Sequence, residues 1–140
     1  MSEITYQLPP RISDDTAPFW QGCRERHLLF QRCSACGHIR YPISFICPEC
    51  LSSAHEWVES QGKGKIYSYV VFRRAFHPAV LNRVPYVVAV VELDEGPSFL
   101  TNIVDCRPEQ VECDQKVSLK WEDSTEGLFL PVFCINDNQD

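Results

Sequence analysis

The spacing of apolar residues changes along this chain, and each change predicts a different element. Residues 1–13 are largely polar, with paired prolines Pro9-Pro10, and read as an extended arm. Thr16 is suited to cap a helix, with Pro18 tolerated in its first turn. Phe19, Trp20, Cys23 and His27 then fall along one face, while Gln21, Arg24 and Glu25 point elsewhere. This spacing predicts a helix ending near Arg26, followed by a strand over Leu28 to Arg32. Trp57-Val58-Glu59 reads as short and extended, and Gly62 and Gly64 flank a turn.

From Lys65 the pattern turns β-rich. Ile66 to Arg73, Tyr86 to Leu93 and Ser98 to Val104 are dense in β-branched and aromatic residues. In the second of these both faces are apolar, as in a strand covered on two sides. Arg107 to Gln110 is suited to one helical turn. Val117, Leu119 and Trp121 alternate with Lys116, Ser118, Lys120 and Glu122, the pattern of a half-exposed strand. Leu128 to Ile135 supplies a fifth strand, in which Pro131 requires an edge or a bulge. Five strands of this length predict a small closed barrel, because closure removes exposed edges. The fold class is therefore mainly β.

Eight cysteines are many for 140 residues, and their placement gives them meaning. Four form the pairs Cys33-Ser34-Ala35-Cys36 and Cys47-Pro48-Glu49-Cys50, ten residues apart. Each Cys-x-x-Cys pair can curl into a knuckle, with Gly37 completing the first turn and Pro48 stiffening the second. Two knuckles offer four thiolates, a closed tetrahedral set for structural Zn²⁺ with no open position for water. Iron in the same cage is the main alternative. The short segment between Cys33 and Cys50 cannot bury a core of its own, so metal binding would supply its folding energy. Gly37 to Ile46 is long enough for a short hairpin through Ile39, Tyr41 and Phe45. His38 and His55 flank the knuckles, but four sulfurs already complete the set.

Charge sharpens the picture. The chain carries 13 basic and 19 acidic residues, a net −6. Residues 20–90 are locally +5 and residues 91–140 locally −9. An acidic chain makes a poor general nucleic-acid binder, since that affinity comes from neutralising phosphates. No apolar run approaches the ~20 residues that span a bilayer, and the N-terminus lacks a basic-then-apolar signal pattern. A cytoplasmic protein is expected. Cys23, Cys106 and Cys134 lie in apolar or strand contexts, and Cys113 sits between Glu112 and Asp114, where a thiolate is disfavoured. No nucleophile with a base beside it is evident, and His77 stands alone in a loop.

The order of these motifs resembles a family of small prokaryotic proteins that accompany thiolases and related acyl-CoA enzymes. The resemblance is carried by Phe19-Trp20, by Leu29-Phe30-Gln31-Arg32-Cys33-Ser34-Ala35-Cys36-Gly37, and by Tyr41-Pro42 ahead of Cys47-Pro48-Glu49-Cys50. It continues through Gly62 to Tyr69, Pro85 to Pro97 and Leu130-Pro131-Val132-Phe133, so that it covers nearly the whole chain. Two positions depart from the family pattern: Ser98, where a basic residue is frequent, and Asp114, where glycine is usual. The resemblance implies an N-terminal arm and helix over 1–32, a rubredoxin-like zinc ribbon over 33–56 and an OB-fold barrel over 57–140. It also implies a non-catalytic accessory subunit whose thiolase-like partner carries the catalytic residues, with zinc held by Cys33, Cys36, Cys47 and Cys50.

Within that reading the loop Arg74 to Arg83 is the candidate contact with the partner or with a coenzyme A thioester. Arg73, Arg74, Phe76, His77 and Arg83 gather three fixed positive charges, a titratable ring and an aromatic within eleven residues. Arginine forks suit phosphates, and a ring can stack on adenine. Lys63 and Lys65 could add to either contact. The alternative is a single-stranded nucleic-acid module, with Tyr67 and Tyr69 on one strand face and Phe72 pointing away from them if the strand is regular.

Overall fold

A computed structural model describes residues 11–124 and 127–136; most of the expected arm, residues 1–10, lies outside them. The helix α1 (Ala17–Arg24) is two residues shorter than its periodicity suggests. Thr16 occupies the N-cap, but its hydroxyl turns back to the Ser13 carbonyl at 3.3 Å and makes no cap bond. At the other end the chain folds over Gly22, whose carbonyl accepts the His27 N–H at 2.7 Å, and Arg26 takes φ +62°. His27 therefore leaves the apolar face, and its Nδ1 lies 2.5 Å from a Glu59 carboxylate oxygen at the surface. Phe19 and Cys23 keep that face and are buried.

The strands β1 (Leu29–Cys33), β2 (Ile39–Arg40) and β3 (His55–Glu59) form a small antiparallel sheet in the order β2-β1-β3. The hairpin expected inside Gly37 to Ile46 does not form. The Cys33 N–H donates to the His38 carbonyl at 2.8 Å, and this hands residues 39 and 40 back to β1. Phe45, expected within the hairpin, is 74% exposed.

The strands β4 (Lys63–Phe72), β5 (Tyr86–Leu93), β6 (Ser98–Val104), β7 (Lys116–Asp123) and β8 (Phe129–Ile135) close a barrel in the order β4-β5-β6-β8-β7. The strand β5 is fully buried on one face only, at Val87, Ala89, Val91 and Leu93. Its other face is half-buried, so the two-sided covering its composition suggested is incomplete. Pro131 fits its position: β8 runs parallel to β6 only at Ile103↔Phe133 and Val104↔Cys134, so no β6 ladder bond is asked of it. Its carbonyl instead accepts the Thr101 hydroxyl at 2.9 Å. Asp114, where the family resemblance suggested glycine, adopts φ +70° and donates its N–H to the Ile66 carbonyl at 2.7 Å.

Gly64 does not flank a turn; it pairs on both sides, with Leu93 and with Val117. A Cβ there would sit 2.3 Å from the Glu92 carbonyl oxygen, which is backbone and cannot rotate away. Gly64→Ala should therefore cost about 3 kcal/mol, at the upper end of the overpacking range, read as a lowered urea midpoint. A loss within experimental error would show that the β4–β5 ladder can spread.

One core runs through helix, sheet and barrel, and its hub is aromatic. The Phe99 ring lies 4.7 Å from Tyr41, 6.0 Å from Phe30 and 6.2 Å from Phe133, centroid to centroid. The small sheet is thereby packed against the barrel wall through rings on both sides.

Candidate metal centre and loop surface

The four paired cysteines converge. All four sulfurs lie within 4.8 Å of one another, with Cys33 and Cys50 at 3.4 Å and Cys36 and Cys47 at 3.7 Å. Zn–S bonds of about 2.3 Å in a tetrahedron require sulfurs roughly 3.8 Å apart, whereas a disulfide requires about 2.05 Å. The observed spacing matches a metal cage. Cys33 and Cys47 are buried, and Cys36 and Cys50 face outward.

Two similar backbone turns produce this convergence. The Gly37 N–H donates to the Cys33 carbonyl, and the Leu51 N–H to the Cys47 carbonyl, both at 2.9 Å. Gly37 closes the first knuckle at φ +81°; Leu51 closes the second at φ +66°, a conformation that a side chain resists. Leu51 is 75% exposed, so burial of its side chain does not account for the strain, whereas the knuckle bond to the Cys47 carbonyl does. The Cys36 N–H points at the Cys33 sulfur, 3.5 Å away, and this bond above all draws the Cys33 thiol down to about 6. Further thiolates beside it would repel one another, so a fully ionised set needs a cation among the sulfurs. Neither flanking histidine joins the cluster. His55 meets the Gln31 amide at 3.4 Å and packs edge-on against Trp57.

The other cysteines have different surroundings. Cys23 is fully buried, and burial pushes its thiol up to about 12. Burial, followed by the charge of Asp105, also raises the Cys106 thiol. Both sit in settings that favour a neutral, weakly nucleophilic sulfur.

The loop between β4 and β5 contains a single 3₁₀ turn, Pro78–Val80, capped by the His77 ring, which accepts the Ala79 N–H at 3.0 Å. The five residues singled out in the sequence do not converge on one point. Arg73 reaches Glu109 at 3.7 Å, and Arg83 reaches Glu122 at 2.5 Å. Arg74 lies over the Phe76 ring at 5.6 Å and is in no ion pair among the described residues. Phe76 is 74% exposed, and Leu81 in the same loop 65%. All three arginines are exposed, but Arg74 alone of them lies on an aromatic ring and outside an ion pair among the described residues.

Beside the loop, Arg83 and Glu122 border a cleft of about 210 Å³ lined also by Trp20, Tyr41, Leu130 and Pro131. No sequence signal marked it, because its walls come from the helix, the segment after β2 and three barrel strands, β6, β7 and β8. The stacking platform of the nucleic-acid alternative is disrupted. A register shift between Ile66 and Ser68 places a bulge at Tyr67, so Tyr67 is 63% exposed while Tyr69 packs against the core. The strand is not regular, and the two rings do not share a face.

Comparison with known proteins accounts for this architecture. The rubredoxin-like zinc ribbon domain of ChsH2 matches residues 20–56, and its C-terminal OB-fold domain matches residues 57–122. A DUF35 domain-containing scaffold protein of Methanocaldococcus jannaschii is 36% identical over 78% of this chain and 81% of its own. The chain belongs to the ChsH2/DUF35 family. A probable enoyl-CoA hydratase alpha subunit of Thermomonospora curvata is 41% identical over 94% of this chain, but the match spans only 43% of that relative's length. The benzoylsuccinyl-CoA thiolase subunit BbsA of Thauera aromatica is 27% identical over 99% of this chain and 82% of its own. Among solved structures, an Ltp2-ChsH2(DUF35) aldolase chain superposes with a TM-score of 0.84 at 40% identity, over 91% of this chain and 98% of that one. The ChsH2/DUF35 assignment identifies the four-cysteine module as a zinc ribbon and the barrel as an OB-fold. No helix among the described residues is long and apolar enough to cross a membrane.

Proposed function

We propose that this chain is a non-catalytic accessory subunit of a thiolase-type acyl-CoA enzyme complex, stabilising its partner and shaping the entrance of the CoA-thioester site. Zinc, in this reading, is structural and is held by Cys33, Cys36, Cys47 and Cys50. Four protein sulfurs fill a tetrahedral ion and leave no position for a reacting water or substrate. That complete donor set is the observation that carries the proposal, since it gives the best-formed site of the chain an organising role. A thiolate–metal cluster also suits a reducing compartment such as the cytoplasm. The partner is inferred from relatives that are named as a thiolase subunit, a hydratase alpha subunit, part of an aldolase and scaffold proteins. The loop bearing Arg73, Arg74, Phe76, His77 and Arg83 is the proposed contact. Its exposed Arg74–Phe76 pair supports partner docking, or a grip on the coenzyme A portion, better than an isolated phosphate cradle would.

Co-purification from the native host is the direct test. A thiolase-type enzyme should accompany the tagged chain, and the isolated chain should not turn over acyl-CoA esters; unaided turnover would reject the accessory role. In the complex, Arg73→Glu with Arg74→Glu should weaken association by about tenfold or more, because like charges across an interface are costly. If the complex still forms, the thioester KM should rise instead. Both values unchanged would remove this loop from the contact surface.

A further inference from the structure

The sheet face that carries Cys33 also carries a buried arginine with almost no partners. On β1, Gln31 and Cys33 point to the same side, and Arg40 is the cross-strand partner of Gln31 in β2, so its side chain joins that face. Arg40 is only 4% exposed. Its Nη2 donates to the Ser44 carbonyl at 3.0 Å, but Nε and Nη1 are buried with no acceptor. Among the described residues it is in no ion pair. The carboxylates of β3, on the far side of β1, are engaged elsewhere, Glu56 with Arg32 and Glu59 with His27. The segment covering Arg40 is the approach to the second knuckle. Ser44, held by Arg40, is itself tied through its N–H to Gln31 and through its hydroxyl to the Ile46 carbonyl, next to Cys47.

A guanidinium stays ionised at any pH the fold survives, so it cannot escape burial by losing its proton. A buried charge without a counter-charge is among the costliest features a small fold can retain. Four thiolates around one Zn²⁺ sum to −2, a charge placed beside the same sheet face. We infer that Arg40 is the built-in counter-charge of the metal-loaded cysteine cluster. The inference rests on the zinc reading given above. Arg40 is then a positioning residue that acts through its charge. It offsets the negative charge of the loaded cluster, and it is itself left uncompensated when the metal is absent. Metal loss would then remove the sulfur cage and expose the cost of the arginine together, which ties the order of the ribbon to occupancy.

The test is zinc affinity of the full chain, measured by chelator competition, for the unaltered protein, Arg40→Met and Arg40→Lys. Methionine keeps an unbranched stem without the charge, and lysine keeps the charge without the fork. Arg40→Met should bind zinc about 10- to 100-fold more weakly, the range seen when groups supporting metal ligands are removed. Arg40→Lys should stay within a few-fold of the parent. If Arg40→Met fails to fold, Arg40→Gln, which can still donate to the Ser44 carbonyl, supplies the charge-free reading. Equal zinc affinity with and without the charge would overturn the inference while leaving the zinc site intact. So would a lysine variant as weak as methionine, which would point to shape or to a bound water as the role of the fork. Failure of the unaltered chain to hold zinc is a separate result and would remove the zinc reading itself.

Discussion

Cys36→Ser is expected to release the metal and melt the ribbon, lowering the stability of the chain by several kcal/mol. Cys36 is an outward-facing member of the cluster, so replacing its sulfur by oxygen removes almost no packing. Whatever the variant loses is therefore attributable to the missing ligand. A structural zinc site of this kind supplies folding energy for segments that cannot bury a core. Here that segment includes Tyr41, whose ring makes the shorter of the two contacts, with Phe30 the other, that join the ribbon to Phe99. For a chain of this size the loss corresponds to a fall in Tm on the order of 10 °C. Elemental analysis of the purified variant should find little zinc, and complex assembly should be lost with it. Cys113→Ser is the control: that cysteine is exposed and outside the cluster, so its replacement should change stability by no more than about 0.5 kcal/mol. Full zinc occupancy and an unmoved Tm in Cys36→Ser would refute the proposed ligand set.

The parts of this molecule that were legible in the sequence are those specified locally. Two Cys-x-x-Cys pairs need only their own turns to bring sulfurs together, and the bounds of β5 and β6 follow from runs of β-branched and aromatic residues ended by turn residues. What escaped depends on distant partners. The bulge at Tyr67 exists only in the pairing of β4 with β5, and a single unpaired residue reverses the faces of Tyr67 and Tyr69. The loop arginines looked like a free cationic cluster because Glu109 and Glu122, which answer Arg73 and Arg83, lie 36 and 39 residues away. Phe45 looked like a hairpin residue, yet Ile39 and Arg40 pair with β1 instead. Arg40 itself read as one base among many; only register places it on the sheet face that carries Cys33. The closing Leu51 was equally hidden, since leucine gives no hint of a left-handed backbone.

Phe99→Ala is expected to cost about 3–5 kcal/mol, the usual range for emptying a buried phenylalanine site, and to separate two transitions that are otherwise one. Phe99 is 3% exposed and meets Tyr41 and Phe30 from the small sheet as well as Phe133 from the barrel. Truncation leaves a cavity between units that are each closed by other means, the ribbon by its cysteines and the barrel by its ladders. The zinc ligands lie outside this contact, so the variant should keep its metal, unlike Cys36→Ser. Urea unfolding followed in parallel by far-ultraviolet circular dichroism and by zinc release should then show two midpoints where the parent shows one. Leu100→Ala, one position along and 62% exposed, should leave both signals within about 0.5 kcal/mol of the parent. A loss below about 1 kcal/mol, far under the range for a buried phenylalanine, would mean that the ribbon is held to the barrel by something other than this ring cluster. Zinc release from the folded Phe99→Ala protein would mean that the cage depends on the barrel for its shape.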